Sequence, residues 1–197
     1  MGKRLHRMLH GGYLATWEAF AAEMGGSWNT PGNGEEARIE IPHEYGPIVI
    51  ESDVTFVLTG KVTIPVMSTI FSAQRTTNER HRFSVSRANF ASTVAEWFGS
   101  LDIHVDDPTF DKAFVLKGEH PDYVRSLFAD AALRERYLAD FEGTLALKDD
   151  TALWTDPTPG LDPLELSVSG IIEDATRLRR LYELFVATLT RVGQVGG

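Results

Sequence analysis

Cysteine is absent from the 197 residues of the chain. This absence excludes disulfides, thiolate nucleophiles, iron–sulfur clusters and cysteine-ligated zinc. A small secreted domain usually relies on disulfides, so we expect a cytoplasmic protein. Long apolar runs are also absent, since none approaches the roughly 18–20 residues that a membrane-spanning helix needs. The basic start is followed by Glu18 and polar residues rather than by the apolar segment of a signal peptide, so we do not expect export.

Positive charge is in deficit, with 19 Lys and Arg against 28 Asp and Glu and a net charge of −9. A nucleic-acid surface or an anionic membrane requires a surplus of basic side chains, so we expect neither as a partner. Hydrophobic residues make up 43% of the chain, which is typical of a protein with a packed core. The length fits one domain over residues 1–197, and we expect residues 1–12 to be disordered.

The first half of the chain predicts one helix and then strands. "GGYLATWEAFAAEMGG" has helical apolar spacing at Leu14, Trp17, Ala21 and Met24, and Gly25-Gly26 supplies its stop. Apolar residues alternate on both sides of "PHEYGP", which is typical of a hairpin. Strands are predicted at "VTFVL", "KVTIPVMSTIF" and "RHRFSVSR", and their short connections favour an antiparallel meander. Pro65 lies inside the second of these runs, so we expect an edge strand or a bulge there.

The second half predicts a mixture of helices and strands. A helix is predicted at "NFASTVAEWFGS". Strands follow at "LDIHV" and "KAFVLKG", with "DDPTFD" as the bend between them. Next come two short helices, one that begins at Pro121 and one that is capped by Asp130, and then a hairpin that turns at Asp149-Asp150. The last helix has the clearest apolar stripe, formed by Ile171, Ala175, Leu178, Tyr182, Phe185, Leu189 and Val192. We therefore expect an α+β fold, in which a long C-terminal amphipathic helix and short helices pack on an antiparallel sheet meander.

One acidic cluster has candidate chemistry. If "LDIHV" is a strand, its alternation places a histidine between two carboxylates on one face, where it could act as a general acid or base. A third carboxylate, from Asp107 or Asp111 in the following bend, could complete a site for a divalent metal. The candidates are Asp102, His104, Asp106 and Asp111. No established metal-ligand spacing is present. We therefore favour the alternative, in which this face points to solvent and Asp107-Pro108 starts a turn.

The residues of this same stretch carry a family resemblance. The matching positions are Asp107, Phe110, Asp111, Phe114, Leu116 and Gly118. The chain resembles a family of uncharacterised bacterial proteins with an Asp-x-x-Phe-Asp-x-x-Phe-x-Val-x-Gly-like run that precedes two short helices. Asp106 stands where that pattern usually has Gly, and Leu116 replaces its Val. The resemblance implies no activity, cofactor or catalytic residue. The residues themselves predict a strand-to-helix corner, because Phe110 and Phe114 are large apolar anchors and Gly118 ends the strand before Pro121.

Three functional hypotheses follow. We favour a non-enzymatic domain that binds a protein partner or a small ligand, with an apolar pocket between the sheet and the last helix. The second is a hydrolase that uses the His104 cluster, either with a metal or by acid–base chemistry. The third is a homodimeric structural module that associates through the last helix or the Pro65 strand edge. Nucleophile-elbow, phosphate-loop and zincin motifs are absent from the sequence, so we expect no metal or cofactor.

Overall fold

An antiparallel sheet forms the centre of the computed structural model, which describes residues 12–29, 37–59, 62–76, 81–88, 102–147 and 161–195. Within these ranges the strands are β1 (Ser27–Asn29), β2 (Arg38–Ile41), β3 (Ile48–Thr59), β4 (Val62–Thr76), β5 (Phe83–Arg87), β6 (Phe114–Gly118), β7 (Thr144–Leu147) and β8 (Leu161–Ser169). The helices are α1 (Leu14–Glu23), α2 (Pro108–Ala113), α3 (Pro121–Phe128), α4 (Ala131–Asp140) and α5 (Ala175–Val195).

The strand order is β1-β2-β3-β4-β8-β7-β5-β6, and every neighbouring pair is antiparallel. The predicted α+β class is confirmed, and so is the hairpin around the Gly46 turn. The predicted meander is correct for β2, β3 and β4 but wrong for β5, because β8 and β7 lie between β4 and β5. Strand β5 lies between β6 and β7, and its residues 83–86 are all buried, as is typical of a strand in the interior of a sheet.

Helix α1 ends as the sequence predicts. Gly25 follows it with a φ of +67°, a left-handed conformation that glycine adopts without strain. Trp17 on its buried face donates a hydrogen bond from Nε1 to the carbonyl oxygen of Ile172 at 2.8 Å. This bond ties α1 to the segment that leads from β8 into α5.

Helix α5 contacts most of the other elements. Phe185 packs against Phe71 of β4, with ring centroids 6.1 Å apart, and Tyr182 packs edge-on against Phe20 of α1 at 5.6 Å. The predicted apolar stripe is confirmed from Leu178 onward. The stripe is wrong at its first two members, because Ile171 lies before α5 and Ala175, the first residue of the helix, is exposed. The cause is Asp174, whose carboxylate accepts a hydrogen bond from the Arg177 N–H at 2.7 Å and so caps the helix.

An aromatic cluster joins α2, β6, α3 and α4 around Tyr137. The ring centroids that lie within 6.2 Å of the Tyr137 ring belong to Phe110, Phe114, Phe128 and Phe141. The Tyr137 hydroxyl lies 3.0 Å from the Thr188 hydroxyl of α5. The Thr188 hydroxyl donates its one hydrogen to the Leu184 carbonyl, so Tyr137 is the donor between the two hydroxyls. Burial raises the pKa of Tyr137 and keeps the phenol protonated.

The short elements near the chain's middle are mostly as predicted. Strand β6, the Pro121 start of α3 and the Asp130 cap of α4 are confirmed. The first strand of the predicted "GTLALKDDTALWT" hairpin is β7, whereas its turn at Asp149-Asp150 lies outside the described residues. The predicted helix at "NFASTVAEWFGS" and the predicted disorder of residues 1–11 also lie outside them.

Removing the acceptor of the buried phenol tests the packing of α5. Thr188→Val leaves the Tyr137 donor without a partner, so we expect the free energy of unfolding to fall by about 2 kcal/mol. Tyr137→Phe removes the donor while Thr188 keeps its bond to Leu184, so we expect a smaller loss of about 1 kcal/mol. Chemical denaturation of both variants gives the two values.

The double variant is the control, since it removes both partners together. We expect its destabilisation to be clearly smaller than the sum of the two single losses, because no unsatisfied donor remains. Strict additivity would contradict the hydrogen bond.

Candidate functional site

The acidic cluster does not lie on a strand. Ile103 makes a single bridge to Leu116, and the chain then turns away from the sheet, so the predicted "LDIHV" strand is wrong. Asp106 has a φ of +58° and ends any alternation after Val105. Asp tolerates this left-handed conformation better than most residues.

Three of the four candidates, His104, Asp111 and Asp102, do not converge on one site. His104 is 69% exposed, and its Nδ1 lies 3.9 Å from an oxygen of Asp111, beyond hydrogen-bond distance. The other Asp111 oxygen accepts a hydrogen bond from the Val105 N–H at 3.0 Å. Asp102 lies 3.5 Å from the Lys117 ammonium, which is largely buried. Such an arrangement gives the acid–base hypothesis no support, and that hypothesis stays a prediction from the sequence.

The predicted bend "DDPTFD" is wrong, because these residues form most of α2. Asp107 is the N-cap, and one of its oxygens accepts the N–H groups of Thr109 and Phe110, both at 3.1 Å. Pro108 takes the first helical position, where its missing N–H leaves nothing unsatisfied. An Asp followed by Pro favours a turn, but the same pair can begin a helix when a buried apolar side chain follows. Here that side chain is Phe110, which lies in the core.

The second Asp107 oxygen binds the Arg134 guanidinium at 2.9 Å, and Arg134 also donates to the Phe128 carbonyl at 2.6 Å. Asp107 therefore links α2 to α4. The hydrogen bond from Phe110 N–H, followed by the bonds from Arg134 and Thr109, holds the pKa of Asp107 below its ordinary value of 3.8. Partial burial alone would raise the pKa of Asp107, but the hydrogen bonds together lower it by more.

The remaining positions of the resemblance are structural. Phe110 and Phe114 belong to the aromatic cluster around Tyr137. A Cβ atom at Gly118 would lie 2.8 Å from a Val124 methyl and 3.0 Å from the Arg82 carbonyl, so only glycine fits where β6 meets α3. In the described residues, no group of three or more His, Asp or Glu side chains is placed to hold a metal ion. The run thus builds a corner between β6 and α3.

The interface between the sheet and α5 is filled by side chains rather than by a pocket. Phe71, Leu166, Phe185 and Leu189 are fully buried in one continuous core. A depression of about 480 Å³ lies instead between α1 and α5, lined largely by small residues and bounded by the ion pair of Glu23 and Arg179. The predicted apolar pocket between sheet and helix therefore has no counterpart among these buried residues.

The most unusual surface is the far end of the β3–β4 hairpin. Strand β2 pairs with β3 only as far as Glu51, and β8 pairs with β4 only from Ser68 onward. Beyond these points β3 and β4 continue as a two-stranded ribbon, which we call the arm: residues 53–59 of β3 and 62–67 of β4. Pro65 lies in the arm, where β4 has only β3 beside it, so the predicted strand edge at this proline is present.

The arm is apolar on both faces. Every large hydrophobic side chain that is exposed in the described structure lies on it, with exposed fractions from 40% to 71%: Phe56, Val57, Leu58, Val62, Ile64 and Val66. Side chains alternate along a strand, so Phe56 and Leu58 share a face with the buried Ile48 and Ile50. The face of the sheet that is buried at Ile48 and Ile50 is therefore exposed along the arm.

Sequence reasoning predicted these strands but missed the arm. A usable signal was the run from Val54 to Met67, which carries one charged residue, Lys61, and is apolar at both odd and even positions. A strand with one solvated face alternates between apolar and polar residues, so a two-sided apolar hairpin needs cover on both sides. The sequence did not reveal that β2 and β8 stop short of it.

No protein-family model matches the chain, and no match is found among curated proteins. In the described part of the chain, no helix is both long and apolar enough to cross a membrane. The functional assignment therefore depends on the geometry.

Asp107→Ala tests the structural role of the acidic cluster. We expect it to lower the melting temperature at neutral pH by more than Asp130→Ala does, because both variants lose an N-cap but only the first also frees Arg134. Loss of the Asp130 cap is expected to cost roughly 2–5 °C. Thermal unfolding followed by circular dichroism measures both variants.

The pH dependence follows from the lowered pKa of Asp107. Its stabilising contribution is complete above the ordinary value of 3.8 and is lost as the pH falls through the lower, folded-state pKa. The difference between wild type and Asp107→Ala should therefore shrink below pH 3.8. A difference that does not change between neutral pH and pH 2 would contradict the assigned contacts.

Proposed function

We propose that this chain is a non-enzymatic protein-binding domain that presents the arm to a protein partner. The observation that carries the proposal is the clustering of the exposed large hydrophobic side chains on one projecting hairpin. Isolated apolar side chains are common on protein surfaces, but a contiguous patch of this kind marks an interaction site. Covering one Phe or Leu side chain is worth roughly 1.5–3 kcal/mol, so a partner that covers the arm gains substantial free energy.

The backbone of the arm supports the same proposal. Beyond Ser52, whose N–H is bonded to the Ala37 carbonyl at 3.1 Å, β3 has no strand on its outer side among the described residues. Proteins usually guard such an edge with charged residues or keep it short. Here Asp53 is the last charged residue of β3, and Val54–Thr59 carries none. An uncharged, apolar strand edge is the kind of surface that a partner protein covers in a complex.

A small-ligand site and an acid–base site receive less support. The volume between the sheet and α5 is taken up by core side chains such as Phe71 and Phe185. The carboxylates around His104 bind backbone N–H groups or basic side chains, which explains their presence without substrate chemistry. Binding through the arm leaves these contacts undisturbed.

Photo-cross-linking in cells that express the chain tests the proposal. A photoreactive benzophenone side chain is placed at position 56 in the arm or, as the matched control, at the exposed position 135 of α4. We expect a discrete cross-linked species from position 56 and none from position 135, because only the arm is predicted to contact a partner.

The same experiment is repeated with Leu58→Lys added to the position-56 protein. A charge at the centre of the arm should abolish the cross-linked species, since burying an unpaired ammonium is costly. Equal labelling from positions 56 and 135, or a product that Leu58→Lys does not change, would overturn the proposal.

A further inference from the structure

We propose that the partner of the arm is a second copy of this chain, and that two copies form a closed dimer in which the arms pack face to face. This inference rests on the proposed function, because it requires the arm to be a protein interface. Phe56 and Leu58 lie at the centre of the contact. They are 68% and 71% exposed, and they continue the core-facing side of the sheet.

The charge pattern of the arm favours a symmetric contact. Residues near a twofold axis lie close to their own copies, so a charged side chain at the centre of such an interface would meet a like charge. The stretch Val54–Gly60 has no charged residue, and Lys61 is the only one up to Met67. An interface of uncharged side chains, here Thr, Val, Ile, Leu and Phe, needs no partner of opposite charge. The arm is therefore compatible with itself.

The net charge of −9 would oppose association through most other surfaces. The arm avoids this repulsion because it projects beyond the rest of the sheet. The seven arm residues of β3, 53–59, extend roughly 23 Å at about 3.3 Å per residue. Electrostatic repulsion is screened over about 8 Å at physiological ionic strength. Two arms that overlap end to end keep the acidic bodies farther apart than this distance.

The area of one face of the arm is sufficient only for a weak dimer. A face-to-face contact covers Phe56 and Leu58 with the other side chains of their face, whereas Val57, Val62, Ile64 and Val66 lie on the opposite face. The buried area is therefore below about 1,000 Å², the lower limit for a stable specific interface. Such an area is compatible with a dissociation constant in the micromolar range rather than with a permanent complex. The proportion of dimer should therefore depend on protein concentration over that range.

Pro65 favours a closed assembly over an open one. A hairpin with two free edges could add further hairpins on both sides and grow without limit. Proline has no N–H to donate, so it interrupts strand addition along the outer edge of β4. In the arm β4 pairs only with β3, so this is the edge that Pro65 guards. Two arms can still pack face to face, because this contact does not use the edge of β4.

Sedimentation velocity of the purified full-length chain tests the inference between about 1 and 100 µM, a range set by the expected affinity. We expect a reversible shift from the mass of one chain to twice that mass. Phe56→Lys/Leu58→Lys should weaken the dimer at least tenfold, because like charges would face each other in the contact. Circular dichroism should show an unchanged fold, since both side chains lie outside the core.

The matched control is Ala22→Lys/Ala132→Lys, which adds the same charge at exposed positions of α1 and α4. It should dimerise as the wild type does. If the arm double variant fails to fold, the milder Leu58→Ser should still weaken the dimer relative to wild type. A dimer that no arm variant affects, or open-ended aggregation of the wild type, would overturn the inference.

A wild-type chain that stays monomeric at 100 µM would also overturn it, and the cross-linking experiment then separates the two proposals. A cross-linked species of another composition, still lost with Leu58→Lys, would retain the arm as a protein interface and remove only the second copy. Absence of any cross-linked species from position 56 would remove both proposals together.

Discussion

The packing of α5 across one face of the sheet is the interaction on which the rest of the molecule depends. Phe185 contacts β4, Tyr182 contacts α1, and Thr188 accepts the hydrogen bond of the phenol at the centre of the aromatic cluster. Arg191 extends the contacts to α3, where it donates to the Ser126 carbonyl at 2.8 Å. One helix therefore holds the sheet and three other helices together. The position and length of α5 determine which part of the sheet is covered.

The arm is the part of the sheet that this packing leaves uncovered. Strand β8 ends at Ser169, and Gly170 turns the chain away with a φ of +82° while its N–H donates to the Met67 carbonyl at 2.8 Å. The chain then passes under α1, where Ile172 accepts the Trp17 bond, and enters α5. No strand or helix among the described residues follows β3 and β4 beyond this turn. The same turn that brings α5 onto the core thus exposes Phe56 and Leu58.

Local sequence patterns predicted much of the fold because they reflect interactions between residues that are close together in the chain. Glycine after α1, Pro121 at the start of α3 and the Asp130 cap each act within one helical turn, and all three were predicted correctly. The position of β8 beside β4 depends on contacts about 95 residues apart, which no short pattern encodes. The acidic cluster was misassigned to a strand because the left-handed Asp106 has no distinct sequence signal. The arm was missed because exposure depends on where neighbouring strands end.

Hydrogen–deuterium exchange at increasing protein concentration tests most directly whether the arm is an interface between copies. The account predicts that amides of residues 53–58 become protected as the concentration rises through the micromolar range. Amides of Ile48–Ile50, which pair with β2 and β4 within one copy, should be protected equally at every concentration. Arm amides whose exchange rates do not change with concentration would contradict the account.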